Sequence, residues 1–412
     1  MSQYSFDHLL EGTFTPETEA DWEFLRGSTQ NLFKPKSPVD DEKLFAGRIA
    51  QVHDVLDAVY EEGGHAIIFG ERGVGKTSLA RIVEKKVQPI FPNLRVHNTS
   101  CGTRDDFYTL WGNAFNNFEG PNGKRPVEHF KEKRNPYEVY NALEDLDKDR
   151  YNIFVFDEFD RITDKDTLIL MGDLIKHFSN HPLNVTIIVV GVGETLHELF
   201  AGHESISRCT AQIKMQRMSY PECKEILTDR IPRIGFELPD DVEASIVKLA
   251  QGMPGYVHLL GQLTLRSAIT RRSKKLEMQD FQSALKLVLE KADFQTRTDY
   301  LKAVASSNPD NKYKEVLLAC ALADSNEMNN FYAGDVKKPY SAIRGRAMDI
   351  PNFSTNLSNL CDPERGPALI KSGIRKRFQY RFANPLLQPL TIMIGVSEGM
   401  VGLDQLPDHS PV

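Results

Sequence analysis

Two groups of residues in this 412-residue chain have the types and spacing for chemistry on a phosphate. The first is the run Gly70-Glu71-Arg72-Gly73-Val74-Gly75-Lys76-Thr77-Ser78, which contains a Gly-x-x-x-x-Gly-Lys-Thr pattern. Glycines at 70, 73 and 75 let the backbone curl so that its N–H groups face inward around an anion. Lys76 would reach the outer phosphates of a nucleoside triphosphate, and the Thr77 hydroxyl would bind magnesium. The second group is Asp157-Glu158-Phe159-Asp160, which ends the apolar run beginning at Tyr151. Asp157 would hold the metal, directly or through water, and Glu158 would polarise the attacking water. Asp160 reads instead as a solvated or helix-capping carboxylate. The implied ligand is a nucleoside triphosphate with Mg2+.

These side chains need elements to aim them. An apolar run from Ala66 to Phe69 predicts a strand before the glycines, and Ser78 to Val87 predicts a helix after them. That helix would point the positive end of its dipole at the phosphates. Tyr151 to Phe156 is apolar on both faces, as is 184–190; such runs suit central strands of a parallel sheet, whose carboxyl ends gather ligands. A further strand is expected at 94–97. Helices are expected near 21–26, over 49–59 from the apolar stripe 49, 52, 55, 56 and 59, at 138–148 and at 168–178. The Gly- and Pro-rich stretch 120–126 reads as a surface loop. Strands alternating with helices at this spacing predict a three-layer α/β domain.

From about Pro221 the strand signal fades, and helices are expected at 240–251, 255–270 and 279–291. A third region has helices near 313–324, 339–347 and 353–360, then a hairpin over 368–382. The predicted organisation is an N-terminal arm at 1–43, an α/β nucleotide-binding domain at 44–220, a helical lid at 221–300, a winged-helix-like domain at 301–393 and a tail at 394–412.

Composition is that of an ordinary soluble protein, with 41% hydrophobic and 26% charged residues. The five cysteines are scattered without metal-ligand spacing, which favours a reducing interior, and no apolar run is long enough to span a bilayer. A cytoplasmic location without membrane contact is expected. The net charge of −7 is uneven: residues 301–412 carry 13 Lys and Arg against 11 Asp and Glu, so the C-terminal end is mildly basic.

With two nucleotide motifs, a lid and a winged end in this order, the chain resembles the AAA+ branch of the P-loop NTPases. Its origin-recognition initiators, transposition ATPases and STAND switches are the nearest in pattern. The resemblance spans roughly residues 44–390 and implies ATP hydrolysis by a protein that works as a homo-oligomer. Within it, Phe45-Ala46-Gly47-Arg48 matches the opening that borders the adenine pocket. Gly193-Glu194-Thr195 falls where a polar sensor follows the fourth strand. Ser207-Arg208 matches the element carrying an arginine finger, which would reach a neighbouring subunit's γ-phosphate. Gly252-Met253-Pro254-Gly255 matches the lid element whose proline lies against the base. The family often has a sensing arginine after that proline; here the residue is Gly255, which tilts the pattern toward the STAND and transposition relatives. His258 and Arg266, on the next helix, could substitute for that arginine, but read first as helix-surface residues.

The hairpin carries Lys371, Arg375, Lys376, Arg377 and Arg381 without an acidic residue. Alternating basic and aromatic side chains suit phosphate contacts on duplex DNA. The same domain type also binds protein or clamps an inactive state, and both readings stand at this point. A DNA-associated ATPase would recruit a transposase- or nuclease-type partner. A STAND-like ATPase would restrain an effector in signalling or antiviral defence.

Overall fold

The computed structural model describes residues 6–11, 14–91, 93–116, 135–144, 150–193, 199–200, 204–308, 310–374 and 377–406. The chain forms two compact units. One comprises 38–71 and 75–216; the other comprises 1–37, 72–74 and 217–412. The expected loop at 120–126 lies outside the described residues.

The first unit is built on β1 (His65–Gly70), β2 (Arg95–Ser100), β3 (Asn152–Asp157), β4 (Val185–Val192) and β5 (Thr210–Met215). They pair in the order β2-β3-β4-β1-β5, parallel throughout. Strands β1, β3 and β4 are buried along nearly their whole length, which explains their unbroken apolar runs. The α/β fold with a parallel sheet is as expected. β5 was not anticipated, because Thr-Ala-Gln-Ile-Lys-Met buries only Ile213 and Met215 fully and gives an edge strand a weak signal.

Alternate residues face opposite layers. Phe69, Phe154, Phe156, Ile187 and Val189 pack with Trp111, Leu174 and Ile175 in one aromatic-rich core. The Trp111 ring lies 5.2 Å from Phe154 and 5.1 Å from Phe156, and its indole N–H donates to the Met171 sulfur. Helices Ile49–Tyr60 and Lys76–Val87 pack on each other and bury a separate set that includes Val52, Val55, Leu79 and Val83. Because all five strands run the same way, the chain leaves β1 and β3 at the same edge of the sheet, with β4 between them.

The second unit begins with helices Tyr220–Thr228, Asp240–Ala250, Pro254–Thr270 and Met278–Lys291. The first is fixed by a capping box between Ser219 and Glu222 with Pro221 in its first turn. The N-terminal segment is more than the arm expected at 1–43. It holds a 14-residue helix, Glu19–Leu32, capped by Thr18 and packed along Pro254–Thr270. The buried Arg230 donates to the Leu32 carbonyl at 2.9 Å, Gln262 donates to the carbonyls of Thr29 and Phe33 at 3.1 and 3.2 Å, and Arg266 donates to the Thr29 hydroxyl at 2.7 Å. Arg266 is therefore committed to this packing, contrary to the surface role expected for it. His258, also expected on the surface, is buried beside the Phe33 ring, and burial holds its imidazole well below the usual histidine range. Gln262→Leu removes the bonds to the Thr29 and Phe33 carbonyls, the first of which still accepts from the Phe33 N–H, and is expected to lower stability by about 1–2 kcal/mol, read as a shift in the denaturant midpoint.

Beyond these come helices Phe294–Val304, Tyr313–Ala321, Lys337–Arg344 and Ser354–Asn359. Strands β6 (Phe331–Tyr332), β7 (Leu369–Ser372) and β8 (Gln379–Phe382) pair antiparallel in the order β6-β8-β7. From Tyr313 onward the order is helix, strand, helix, helix, strand, strand, as expected for a winged helix-turn-helix. The last helix, Leu387–Ser397, was not foreseen. Its residues are apolar on all sides, so no one-face stripe marks it, and Leu387, Leu390, Ile392 and Met393 are fully buried. The tail expected from 394 therefore starts inside this helix.

Candidate active site

β1 delivers the chain to Gly70, whose φ is +147°. A Cβ there would lie 2.1 Å from the Met215 carbonyl oxygen, so the close passage of β5 requires glycine. Gly73 and Gly75 take φ of +90° and +97°, and Gly75 caps the helix Lys76–Val87. Lys76 is 8% exposed, and its ammonium donates to the carbonyls of Gly70 at 3.0 Å and Glu71 at 2.7 Å. Burial brings its pKa down to about 8, with Asp160, Asp157 and Glu71 opposing the shift. The next side chain, Thr77, donates from its hydroxyl to Asp157 Oδ2 at 2.9 Å. The residue after the loop lysine and the carboxylate ending β3 thus meet across β4.

Two hard oxygen donors this close fit a magnesium ion that takes its remaining ligands from water and substrate phosphates. Among the described residues no group of three His, Cys, Asp or Glu side chains could hold a metal alone. Any ion bound here would lean on Thr77, Asp157 and the nucleotide itself.

Glu158 adopts a left-handed backbone, φ 57° and ψ 36°, which is uncommon for a side chain of its size. Its N–H donates to Asp157 Oδ1 at 2.8 Å. Its carboxylate is solvent-exposed and accepts from Arg161 at 2.6 Å and from the Ser100 hydroxyl at 3.4 Å. That pairing raises the Arg161 pKa. Asp160 is neither a helix cap nor purely solvated: its Oδ1 accepts from the Val192 N–H at 2.7 Å, tying the turn after β3 to the end of β4. Cys101, close to these carboxylates, is pushed up to about 12, first by burial and then by Asp105, and so stays a thiol.

The remaining expected residues fall into three groups. Some lie near the loop but are occupied: the Ser78 hydroxyl accepts from the Val39 N–H at 3.0 Å. Buried Arg48, left-handed after a left-handed Gly47, donates to the Gln216 carbonyl. Phe45 and Glu71 are half-buried, Val74 is buried, and Arg72 and Arg208 are exposed, Arg208 at the end of the turn Glu204–Arg208. Others belong to the second unit. Pro254 starts the helix Pro254–Thr270, and Lys371, Arg377 and Arg381 sit on the hairpin, where the Lys371 ammonium lies 3.8 Å from the Phe378 ring centroid. Glu194, Thr195, Arg375 and Lys376 lie outside the described residues. Sequence reasoning missed Ser100 and Arg161. Ser100 gives no motif and shows itself only through β2–β3 register, where it pairs with Asp157.

Residues 59–200 match the family model described as "AAA domain", roughly a third of the chain. No curated protein matches the chain. Among solved structures, the Walker-type ATPase paby2304 of Pyrococcus abyssi superposes with a TM-score of 0.54 at 18% identity, covering 87% of this chain and 99% of that one. Cdc6p from Pyrobaculum aerophilum gives 0.47 at 14%, covering 90% and 99%. The Aeropyrum pernix ORC1 protein in complex with DNA gives 0.47 at 15%, covering 89% and 95%. At these identities the first of them supports a shared fold.

Proposed function

We propose that the chain is a magnesium-dependent ATPase that works as a molecular switch. The observation that carries this reading is the 2.9 Å meeting of Thr77 with Asp157, beside a buried Lys76 whose ammonium donates, among the described residues, to the backbone carbonyls of Gly70 and Glu71. A triphosphate would exchange those carbonyls for its own oxygens and gain the N–H groups of the glycine loop. Thr77 and Asp157 would hold magnesium, which supplies charge neutralisation on the phosphates when bound. Glu158 would take a proton from the attacking water after its carboxylate leaves Arg161 and Ser100. Phe45, Gly47 and the 70–78 loop would frame the nucleotide, with Glu194 or Thr195 as sensor. Arg208 would serve a neighbouring copy in trans, which its exposure permits.

The output we propose is assembly on or near duplex DNA, followed by recruitment of a DNA-acting partner. It is supported by the cationic hairpin, on which Lys371 and Arg381 lie on the paired strands and Arg377 in the connection between them. Steady-state ATP turnover with and without duplex DNA, over a salt series, tests it. DNA is expected to stimulate turnover, and the stimulation is expected to fade steeply with salt. It should disappear in a Lys371, Arg375, Lys376 and Arg377 charge-removal variant, while Lys76→Ala has no turnover to stimulate. Gly255 favours a second reading, since it leaves the start of the Pro254–Thr270 helix without a cation to report the nucleotide. A turnover rate flat to DNA and to hairpin charge would support that protein-regulating switch of the STAND type.

A further inference from the structure

We propose that the helix Leu387–Ser397 is the keystone of the second unit. It makes the lid helices and the basic hairpin one mechanical body, with Arg217 and Gln388 as the polar lock. Movement of the lid is then delivered to the hairpin with no joint between them. That last consequence rests on the nucleotide-switch reading; the existence of the single body does not.

Packing is the first support. The Leu387–Ser397 helix touches Asp240–Ala250 and Met278–Lys291 of the lid on one side, and Phe294–Val304 and Tyr313–Ala321 of the hairpin region on the other. A Cβ added at Gly395 would lie 2.6 Å from Leu318, so that side is in close contact. A helix buried on nearly every side cannot shift against one neighbour without disturbing the rest.

Polar anchoring is the second. Arg217, where the chain enters this unit, is 4% exposed and donates to Gln388 Oε1 at 2.6 Å. Gln388 in turn donates to the Ala321 carbonyl at 2.9 Å. Lid residue Tyr256 donates from its hydroxyl to the Leu386 carbonyl at 3.1 Å. Between β8 and the helix, Asn384 donates to Thr296 and Asp299 at 3.2 and 2.9 Å. The connection from hairpin to helix is thus short and fastened at Asn384 and Leu386, leaving no free segment to serve as a hinge. Each fastening is a side-chain bond in a setting where leaving a group unpaired is costly.

Two measurements on the full chain test this. In the first, spin labels are carried by a bio-orthogonal keto residue, which leaves the native cysteines in place. Labels at exposed Gln282 and Ser372 are expected to give one distance distribution in the apo, ADP and Mg–ATP-analogue states. A distribution that shifts or splits between those states overturns the proposal. A companion pair at Asp173 and Gln282 reads the switch separately: if that pair stays fixed, the nucleotide-switch reading fails.

In the second, hydrogen exchange is followed in Gln388→Met and Gln388→Glu, of which Glu keeps an acceptor for Arg217. Gln388→Met is expected to speed amide exchange in Met278–Lys291 and in β8 by a common factor of at least about tenfold, with partial rescue in Gln388→Glu. Faster exchange on one side alone refutes the single body. Should Gln388→Met fail to fold, the wild-type distances still decide.

Discussion

Glu158→Gln binds Mg-ATP with near-wild-type affinity and turns it over at least about 10²-fold more slowly, the effect expected from losing a general base. The substitution keeps size and shape but removes the proton acceptor. It leaves Thr77, Asp157 and Lys76 undisturbed, since none of them bonds to the Glu158 side chain among the described residues. The left-handed backbone at Glu158 belongs to the argument. Strain of this kind persists only where the surroundings enforce it, and here the Glu158 N–H is held by Asp157 Oδ1 at 2.8 Å. The strained turn therefore sets the position of Glu158, the proposed base, relative to Asp157. Arg161→Ala is the informative companion. The Glu158–Arg161 pair is exposed, so its loss is expected to change turnover by no more than about threefold, in keeping with the small worth of surface ion pairs. Single-turnover phosphate release beside calorimetric binding separates the cases. Unchanged turnover in Glu158→Gln would remove Glu158 from the mechanism and leave positioning and charge neutralisation as the source of any catalysis.

Legibility in the sequence followed signal strength. The glycine loop and the two carboxylates could be read because their backbone and charge requirements admit few residue types, and β1, β3 and β4 because they are buried on both faces. Strand β5 was lost because an edge strand needs only half its residues to be apolar. The Leu387–Ser397 helix was lost for the opposite reason: it is apolar all round, so no 3.6-residue stripe distinguishes it. The Glu19–Leu32 helix was underestimated because its stability comes from tertiary bonds made by Arg230, Gln262 and Arg266, far away in sequence. Asp160 shows the same limit at the site itself. Its type was noted, but its partner is a backbone N–H on β4, a contact that only the parallel register creates. The Ser78 hydroxyl likewise accepts from the Val39 backbone N–H, a tie that its motif position does not announce.

ATP affinity is expected to fall as pH rises through about 8, and the origin is Lys76. Burial favours its neutral form, which brings the pKa down to about 8, partly against the pull of Asp160 and Asp157. A triphosphate placed against the ammonium favours the charged form and raises that pKa in the complex. Above the free-state value the complex therefore holds one more proton than free protein. Binding takes up that proton, and affinity declines by up to about one decade per pH unit until the pKa of the complex is passed. Below pH 8 Lys76 is charged in both states and the dependence flattens. The nucleotide's own last phosphate ionisation lies near pH 6, outside this window, so it does not mask the slope. Titrating a fluorescent ATP analogue from pH 7 to 9.5 reads the effect. Lys76→Arg keeps its charge throughout and is expected to show no slope, whereas Lys76→Ala loses the charge–phosphate contact at every pH and binds at least about tenfold more weakly. A wild-type slope that survives in Lys76→Arg would place the titrating group elsewhere. With no slope in either protein, the ammonium would have to be fully charged before the phosphates arrive, and its burial would cost the site nothing.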